Sequence, residues 1–442
     1  MASAREVAVL TLVACEKQGA WSDGHLKKAI KQGGLDRRDA ALATRLCFGV
    51  QQNRYLLDFY LAHFSSVKLE KLEPKVRAAL RIALYQLLMM DKIPASAAVN
   101  ESVSIARKHS RNPKAAGLVN AVLRAFLRAE EELPEVKGKT PAETLSIRYS
   151  HPLWMVKEWT GLLGEDGAEQ LLRADNEQPP TTAQVNLLQA NVEQTAAELS
   201  EQGVEVAEHP WLPGCLTLSA TGDLEKLNAF QKGLFYIQDS AARLAVEAAG
   251  VEPGSKVLDC CAAPGGKSFA AAIKMENRGE VISCDIHPHK VKLIEAGRDR
   301  LGLSIIQARE QNAKEFVREW AEVFDTVLAD VPCSGLGIIR KKPDIRFKDP
   351  KPLDGLPVIQ RDILNNVCRY VRPGGVLTYS TCTLRKQENE DVVEHFLAEH
   401  PEFKLEGFAL PGMIGETEGM LTLWPHIHDT DGFFIAKFRR QV

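Results

Sequence analysis

The chain has 442 residues, of which 45% are hydrophobic and 26% are charged, and this composition is typical of a protein with buried cores. It excludes an intrinsically disordered chain, a collagen-like chain and a small disulfide scaffold, and at roughly 150 residues per domain it indicates about three domains. No apolar run reaches the ~20 residues that a membrane span needs, so a transmembrane protein is also excluded.

The formal net charge of −3 conceals an uneven distribution of charge along the chain. Residues 1–150 contain 24 Lys and Arg against 15 Asp and Glu, a net of +9, and the remainder has a net of −12. A basic half joined to an acidic half favours a polyanion-binding domain attached to a domain with another function. Ordinary variation of a solvated surface is the alternative, and it is the simpler interpretation of any single Lys or Arg.

The nine cysteines are an odd number, and none of them falls in a C-x-x-C pair. Their spacing therefore gives no support to a zinc site, and we expect no bound metal. Residues 12–15 (Leu-Val-Ala-Cys) resemble a lipoprotein cleavage box, but the apolar stretch before them is short. Ala8, Leu12 and Cys15 recur at helical spacing, so we expect a cytoplasmic protein with reduced thiols.

Residues 1–130 have the periodicity of successive helices and show no strand pattern, which predicts an all-helical domain. Asp36 or Asp39 would cap a long helix that runs to about Phe64. Two further helices flank the basic stretch 107–114.

Beyond a polar linker at 133–141, short apolar strands surround one helix, which predicts a small α+β module. From Gly233 onward, strand-like and helix-like runs alternate, which predicts a mainly parallel sheet with helices on both faces. Its strand candidates are Lys256–Asp259, Glu280–Cys284, Thr326–Ala329 and Val376–Tyr379. The predicted fold class is multidomain, with domains at residues 1–135, 141–232 and 233–442.

The first stretch that could carry chemistry follows a strand and reads Cys261-Ala262-Ala263-Pro264-Gly265-Gly266-Lys267. A glycine-bearing turn between a strand and a helix lets main chain approach a ligand closely. A phosphate loop is the rival interpretation, because Gly266-Lys267-Ser268 matches its ending. That loop needs glycine where Cys261 stands, which disfavours a nucleotide hydrolase. Asp285, at the end of the next strand, could accept hydrogen bonds from a ribose.

Two further motifs each end a strand and carry a cysteine: Asp330-Val-Pro-Cys333-Ser and Thr381-Cys382-Thr. The carboxyl ends of neighbouring parallel strands face one crevice, so both thiols would face it. An ordinary core cysteine is the alternative for each one taken singly. A thiolate is a strong nucleophile, and its addition to C6 of a pyrimidine makes C5 reactive.

These motifs form an ordered set, Ser150–Trp154, Cys261–Lys267, Asp330–Ser334, Arg340–Arg346, Thr381–Cys382 and Asp431–Lys437. Together they resemble the NOL1/NOP2/Sun family of RNA cytosine-5 methyltransferases. The N-terminal helices resemble the RNA-binding antitermination factor NusB, so the resemblance covers nearly the whole chain. It implies a NusB-like all-α domain, a small α+β module and a Rossmann-like class I methyltransferase domain.

The resemblance also implies S-adenosylmethionine as methyl donor. By position, Cys261–Lys267 would hold the methionine part of the cofactor and Asp285 its ribose, with Asp330 also beside the cofactor. Asn312 would lie at the adenine edge, where the family usually has Asp; an amide can still donate and accept there. The preceding Arg309-Glu310 leaves a shifted match open.

In the family the attacking thiol belongs to the Thr-Cys motif, which implies Cys382 as nucleophile and Cys333 as the group that helps to free the product. Asp330 would hydrogen-bond the N3/N4 edge of the cytosine. The basic residues after the catalytic loop would suit RNA phosphates, with a solvated loop as the alternative: Arg340, Lys341, Lys342 and Arg346.

The resemblance implies 16S small-subunit ribosomal RNA as substrate, and we expect the protein to be a monomer. Two rival interpretations stay open at this point. One is the same chemistry on transfer RNA; the NusB-like domain favours ribosomal RNA over it without settling the substrate. The other is an RNA-binding regulator with an inactive methyltransferase body, which the intact Asp330, Cys333 and Cys382 disfavour.

Overall fold

The structure is a computed structural model, and it describes residues 3–18, 22–129, 132–412 and 414–442. The chain forms two compact units, residues 1–177 with 342–348 and residues 178–341 with 349–442. Within the described residues, no helix is both long enough and apolar enough to cross a membrane.

The described residues of the first unit contain helices and no strand, as the sequence predicts. The helices are α1 (Ala4–Gln18), α2 (Ser22–Gly33), α3 (Arg37–Gln52), α4 (Arg54–Phe64), α5 (Pro74–Met89), α6 (Ala95–His109), α7 (Ala115–Arg128), α8 (Pro141–Tyr149) and α9 (Leu153–Ala174). Helix α5 lies at the centre, since its residues 78–84 are all buried. Helix α9 is interrupted at Gly164, where φ is 72°.

The prediction of one long helix from Asp36 to about Phe64 is wrong, because the structure divides it in two. Asp36 does cap α3, since its side chain accepts a hydrogen bond from the main-chain N–H of Asp39 at 2.8 Å. At Asn53 the chain leaves helical geometry, and its Nδ2 donates to the Gly49 carbonyl at 2.9 Å. Asn side chains compete with main chain in this way and so end helices. The apolar stripe continues on both sides of the break, which conceals it in the sequence.

Residues 342–348 belong to the first unit because Arg346 is buried inside it, with no exposed surface. Its guanidinium donates to the carbonyls of Gln52 at 3.0 Å and Ser150 at 3.2 Å, and to Oδ1 of Asn176 at 3.0 Å. Burial lowers the pKa of Arg346 to about 10. The expectation that Arg346 contacts RNA phosphates is therefore wrong.

The second unit opens with an antiparallel sheet of strand order β2-β3-β1-β4, which confirms the small α+β module. Its elements are β1 (Thr181–Val185), α10 (Val192–Glu201), β2 (Glu205–Glu208), β3 (Cys215–Ser219), α11 (Asn228–Gln231) and β4 (Phe235–Ile237). One cluster of buried apolar residues joins the strands to Leu199 of α10.

The larger sheet of the second unit has, among the described residues, the strand order β10-β14-β9-β8-β5-β6-β7, with β13 also paired to β14. Its strands are β5 (Lys256–Asp259), β6 (Glu280–Asp285), β7 (Ile306–Glu310), β8 (Phe324–Asp330), β9 (Val371–Thr381), β10 (Phe403–Leu405), β13 (Met420–Leu423) and β14 (Phe433–Arg440), while β11 (Phe408–Leu410) pairs separately with β12 (Gly415–Thr417). Strands β5 to β9 pair parallel with one another, whereas β14 pairs antiparallel with β9, β10 and β13.

Helices cover the large sheet, as the alternating pattern predicts. They are α12 (Ser240–Ala249), α13 (Gly266–Lys274), α14 (Pro288–Leu301), α15 (Leu356–Val367) and α16 (Glu390–Glu399), and the four-residue α17 (Pro425–His428) precedes β14. Helices α12, α13 and α14 pack in one apolar cluster, and α15 and α16 pack in another. The strand order reverses between β5 and β8, which opens a crevice at the carboxyl ends of these strands.

Candidate active site

The turn after β5 is held rigidly at the edge of this crevice. Gly265 has φ 115°, a conformation that favours glycine, and the nine-residue helix α13 begins immediately after it. A Cβ on Gly266 would lie only 3.0 Å from the side-chain nitrogen of Gln238. The buried Asp259 accepts a hydrogen bond from the Ser268 hydroxyl at 2.7 Å, and burial raises the pKa of Asp259 to about 6. Main chain therefore forms this edge of the crevice.

Two polar side chains follow the adjacent strands β6 and β7. Asp285 ends β6, and one carboxylate oxygen accepts from the main-chain N–H of His287 at 3.0 Å. Its other oxygen lies 3.7 Å from Nζ of Lys290, which leaves that oxygen capacity to accept a ligand's hydrogen bond. Asn312 follows β7, and its Nδ2 donates to a carboxylate oxygen of Glu315 at 2.9 Å, so its amide is engaged in the local turn.

Asp330 ends β8 and forms an ion pair with Lys267 of α13, with 2.7 Å between Nζ and Oδ2. Its other oxygen accepts from the Ser380 hydroxyl at 2.8 Å. Burial alone would lower the pKa of Lys267, but the carboxylate of Asp330 outweighs it and raises that pKa, with further contributions from Asp259 and then Cys382. Nζ of Lys267 also lies 5.2 Å from the centre of the Phe433 ring.

The two predicted active-site thiols are brought together at the ends of β8 and β9. The Sγ atoms of Cys333 and Cys382 are 3.2 Å apart, and both side chains are half-buried. The hydrogen bond with Cys382, together with burial, raises the pKa of Cys333 well above its usual range. At this separation a thiol of Cys333 can donate a hydrogen bond towards the sulfur of Cys382.

Three buried residues that sequence analysis did not single out hold these loops: Gln360, Glu388 and Asn389. The hydroxyl of Thr381 donates to Oδ1 of Asn389 at 2.6 Å, and its Nδ2 donates to the Thr383 carbonyl at 3.0 Å. Both residues beside Cys382 are thereby fixed. The polar run that contains Glu388 and Asn389 has the composition of a solvated turn, so nothing in its sequence indicates that these side chains are buried.

The expectation that Arg340 and Lys341 contact phosphates is wrong. Arg340 is 3% exposed and pairs with Asp429 at 3.2 Å. Nζ of Lys341 lies 2.5 Å from Asp239 and 2.7 Å from Asp431. These cations neutralise carboxylates of their own unit. Of the four basic residues predicted for this role, only Lys342 is exposed.

Three family models together match most of the chain. Residues 248–439 match the model of the 16S rRNA methyltransferase RsmB/F family, residues 2–128 that of the NusB family, and residues 151–225 that of the RsmF/B-like ferredoxin-like domain. The predicted combination of a NusB-like domain, an α+β module and a Rossmann-like methyltransferase domain is confirmed.

Similarity to individual proteins is also full-length. A Bacillus subtilis protein described as "Probable ribosomal RNA small subunit methyltransferase B" is 37% identical over 99% of both chains. The Klebsiella pneumoniae "Ribosomal RNA small subunit methyltransferase B" is 31% identical over 92% of this chain and 91% of its own. The crystal structure of PH0851 matches with a TM-score of 0.80 and 28% identity, covering 100% of this chain and 99% of that one.

Proposed function

Because this chain belongs to the 16S rRNA methyltransferase RsmB/F family, we propose that it methylates carbon 5 of a cytosine in small-subunit ribosomal RNA, with S-adenosylmethionine as methyl donor. The observation that carries the proposal is the pair of thiols 3.2 Å apart at the carboxyl ends of β8 and β9. The Lys267–Asp330 ion pair lies beside them in the same crevice.

The residues of the crevice fit the cofactor. The start of α13 offers unpaired main-chain N–H groups and the positive end of a helix dipole, which suit the methionine carboxylate. The carboxylate of Asp285 can accept hydrogen bonds from ribose hydroxyls. Asn312 would meet the adenine, with its amide already partly used by Glu315. When bound, S-adenosylmethionine supplies an electrophilic methyl group.

The two thiols would perform different steps. The thiolate of Cys382 adds to C6 of cytosine, and the electron pair of the C5–C6 double bond moves to C5, which becomes nucleophilic and takes the methyl group. A base then removes the C5 proton, the C5–C6 double bond re-forms, and the bond between C6 and the sulfur of Cys382 breaks. The protonated Cys333, in contact with that sulfur, stabilises it as the leaving thiolate.

Asp330 would recognise the base. Its carboxylate is held by Lys267 and Ser380 and can accept a hydrogen bond from the N4 amine of cytosine. A thymine or uracil presents a carbonyl oxygen in place of that amine, which a carboxylate repels. The target base has to leave its stack to reach a crevice of this kind.

The test is a comparison of Cys333→Ala and Cys382→Ala on unmodified 16S ribosomal RNA, with unmodified transfer RNA as the alternative substrate. Cys333→Ala should accumulate a protein–RNA complex that survives denaturing electrophoresis, because the adduct forms and its release slows. Cys382→Ala should form no complex and transfer no methyl group. The opposite pattern would make Cys333 the nucleophile, and methylation by both variants without an adduct would refute the covalent mechanism.

A further inference from the structure

The loop that carries Cys333 is held on both sides by two buried side chains. Gln360 of α15 and Glu388, just before α16, have no exposed surface. A carboxylate oxygen of Glu388 accepts from the main-chain N–H of Ser334 at 2.8 Å and from the side-chain amide of Gln360 at 3.0 Å. The same amide of Gln360 donates to the Pro332 carbonyl at 3.1 Å. Pro332 and Ser334 are the two neighbours of Cys333 in the chain.

Burying the carboxylate of Glu388 costs free energy of desolvation, so stability alone does not explain its position. A fully buried carboxylate loses its hydration, and the ion pair of Glu388 with Arg385 is long, at 3.8 Å. The carboxylate of Glu388 is compensated mainly by hydrogen bonds that fix the Cys333 loop, and its main-chain carbonyl accepts from the Tyr379 hydroxyl. Asn389, the next residue, holds both neighbours of Cys382 instead. Glu388 and Asn389 thus bond to the chain neighbours of two different thiols.

We propose that Gln360 and Glu388 are positioning residues for the Cys333 thiol and that they serve the release of the methylated product. The inference rests on the proposed function, in which Cys333 stabilises the departing thiolate of Cys382. That role depends on a sulfur–sulfur contact of 3.2 Å. A thiol is a weak donor, so a small displacement of the loop removes the interaction.

The primary variant is Gln360→Met, which keeps the length of the side chain and removes both hydrogen bonds of the amide. Methyl transfer in a single turnover should stay close to that of the unaltered protein, because Cys382 and its support by Asn389 are unchanged. Multiple turnover should slow roughly tenfold, with accumulation of the denaturation-resistant protein–RNA complex. The separate variant Glu388→Gln retains an oxygen that can accept from Ser334, so it should keep most of the multiple-turnover rate.

Asn186→Leu is the matched control for a buried amide. Asn186 has no exposed surface, and its amide donates to the carbonyls of Gly233 at 3.0 Å and Leu301 at 2.9 Å, in the same unit but away from the thiols. This variant should lose stability without accumulating the complex. Comparison of the two variants therefore separates the effect of lost stability from the effect of a displaced Cys333 loop.

The outcomes separate this inference from the function on which it rests. Complex accumulation in Gln360→Met and Cys333→Ala, but not in Asn186→Leu, supports the positioning role. If Cys333→Ala accumulates the complex and Gln360→Met does not, the positioning role is refuted while the proposed function stands. If Gln360→Met also loses single-turnover transfer, these residues merely maintain the fold. If Cys333→Ala itself gives no complex, the proposed function fails and this inference fails with it.

Discussion

Asp285 is the side chain whose substitution tests the cofactor site most directly. Its carboxylate ends β6 with one oxygen engaged by the N–H of His287 and the other 3.7 Å from Lys290. Asp285→Ala removes the acceptor for the ribose hydroxyls, so the affinity for S-adenosylmethionine in calorimetric titration should fall roughly 10- to 100-fold.

The control for this variant is Asp299→Ala, which removes an exposed carboxylate from α14, the helix that follows Asp285. It should leave the affinity unchanged. An unaltered affinity in Asp285→Ala would remove Asp285 from the site.

At the scale of single residues, the sequence allowed us to predict the position of side chains that directly follow a strand. Asp285, Asp330, Cys333 and Cys382 follow short apolar runs, and a parallel sheet brings the ends of such runs to one edge. The sequence failed for Arg340 and Lys341, because charge alone does not reveal whether a cation faces solvent or a buried carboxylate. Such pairs are formed by residues nearly a hundred positions apart, which local patterns cannot register.

The loops after β8 and β9 meet a third loop, before β14, through one glycine. The N–H of Gly337 donates to the carbonyl of Cys382 at 2.9 Å, and its own carbonyl accepts from the N–H of Gly432 at 2.8 Å. A Cβ on Gly337 would lie 1.9 Å from the oxygen of Gly432, so main chain would have to move. Gly337→Ala should therefore separate the loops and lower methyl transfer by roughly 100-fold, measured as methyl incorporation into RNA.

Gly355→Ala is the matched control, since an added Cβ there has nothing within 4 Å and φ is −81°. It should retain full methyl transfer. Full activity in Gly337→Ala would show that the loops tolerate a displacement of this size and that their spacing is not critical.

At the scale of elements, apolar runs predicted the parallel strands because strands buried on both faces are continuous hydrophobic stretches. They did not predict where helices break. Asn53 ends α3 through a hydrogen bond of its own side chain, while the apolar stripe on either side keeps its period. Antiparallel β14 also escaped prediction, although Phe433–Arg440 is long and mostly buried, because pairing direction is decided by the connection and not by composition.

For the whole molecule, the sequence predicted the kinds of domain but not that the helical unit would include a distant segment. Residues 342–348 join that unit through the buried Arg346, which donates mostly to main-chain carbonyls and also to the side-chain oxygen of Asn176. Every residue type carries the same main-chain carbonyl, so no sequence pattern indicates which carbonyls will accept from an arginine. The residue just before this segment, Lys341, belongs to the second unit and pairs there with Asp239 and Asp431.

The excess positive charge of the first 150 residues leads to a prediction about RNA affinity in the full-length protein. Exposed basic side chains near the junction of α6 and α7 would neutralise phosphates and release counterions. The substitutions that test this are Arg107→Gln, Arg111→Gln and Lys114→Gln, made together at exposed positions. The slope of log affinity against log salt concentration should become shallower by roughly 2, at about 0.7 per phosphate contact with single-stranded RNA.

A matched triple variant removes the same charge from exposed positions of the second unit: Lys226→Gln, Lys256→Gln and Lys404→Gln. Its RNA affinity should change little and its salt slope should stay that of the unaltered protein, because these side chains lie outside the basic half. Binding of S-adenosylmethionine should be the same in both triples, since the cofactor crevice is built from the second unit alone. Equal slopes for the two triples would mean that the charge of the helical half is incidental and that RNA is held elsewhere.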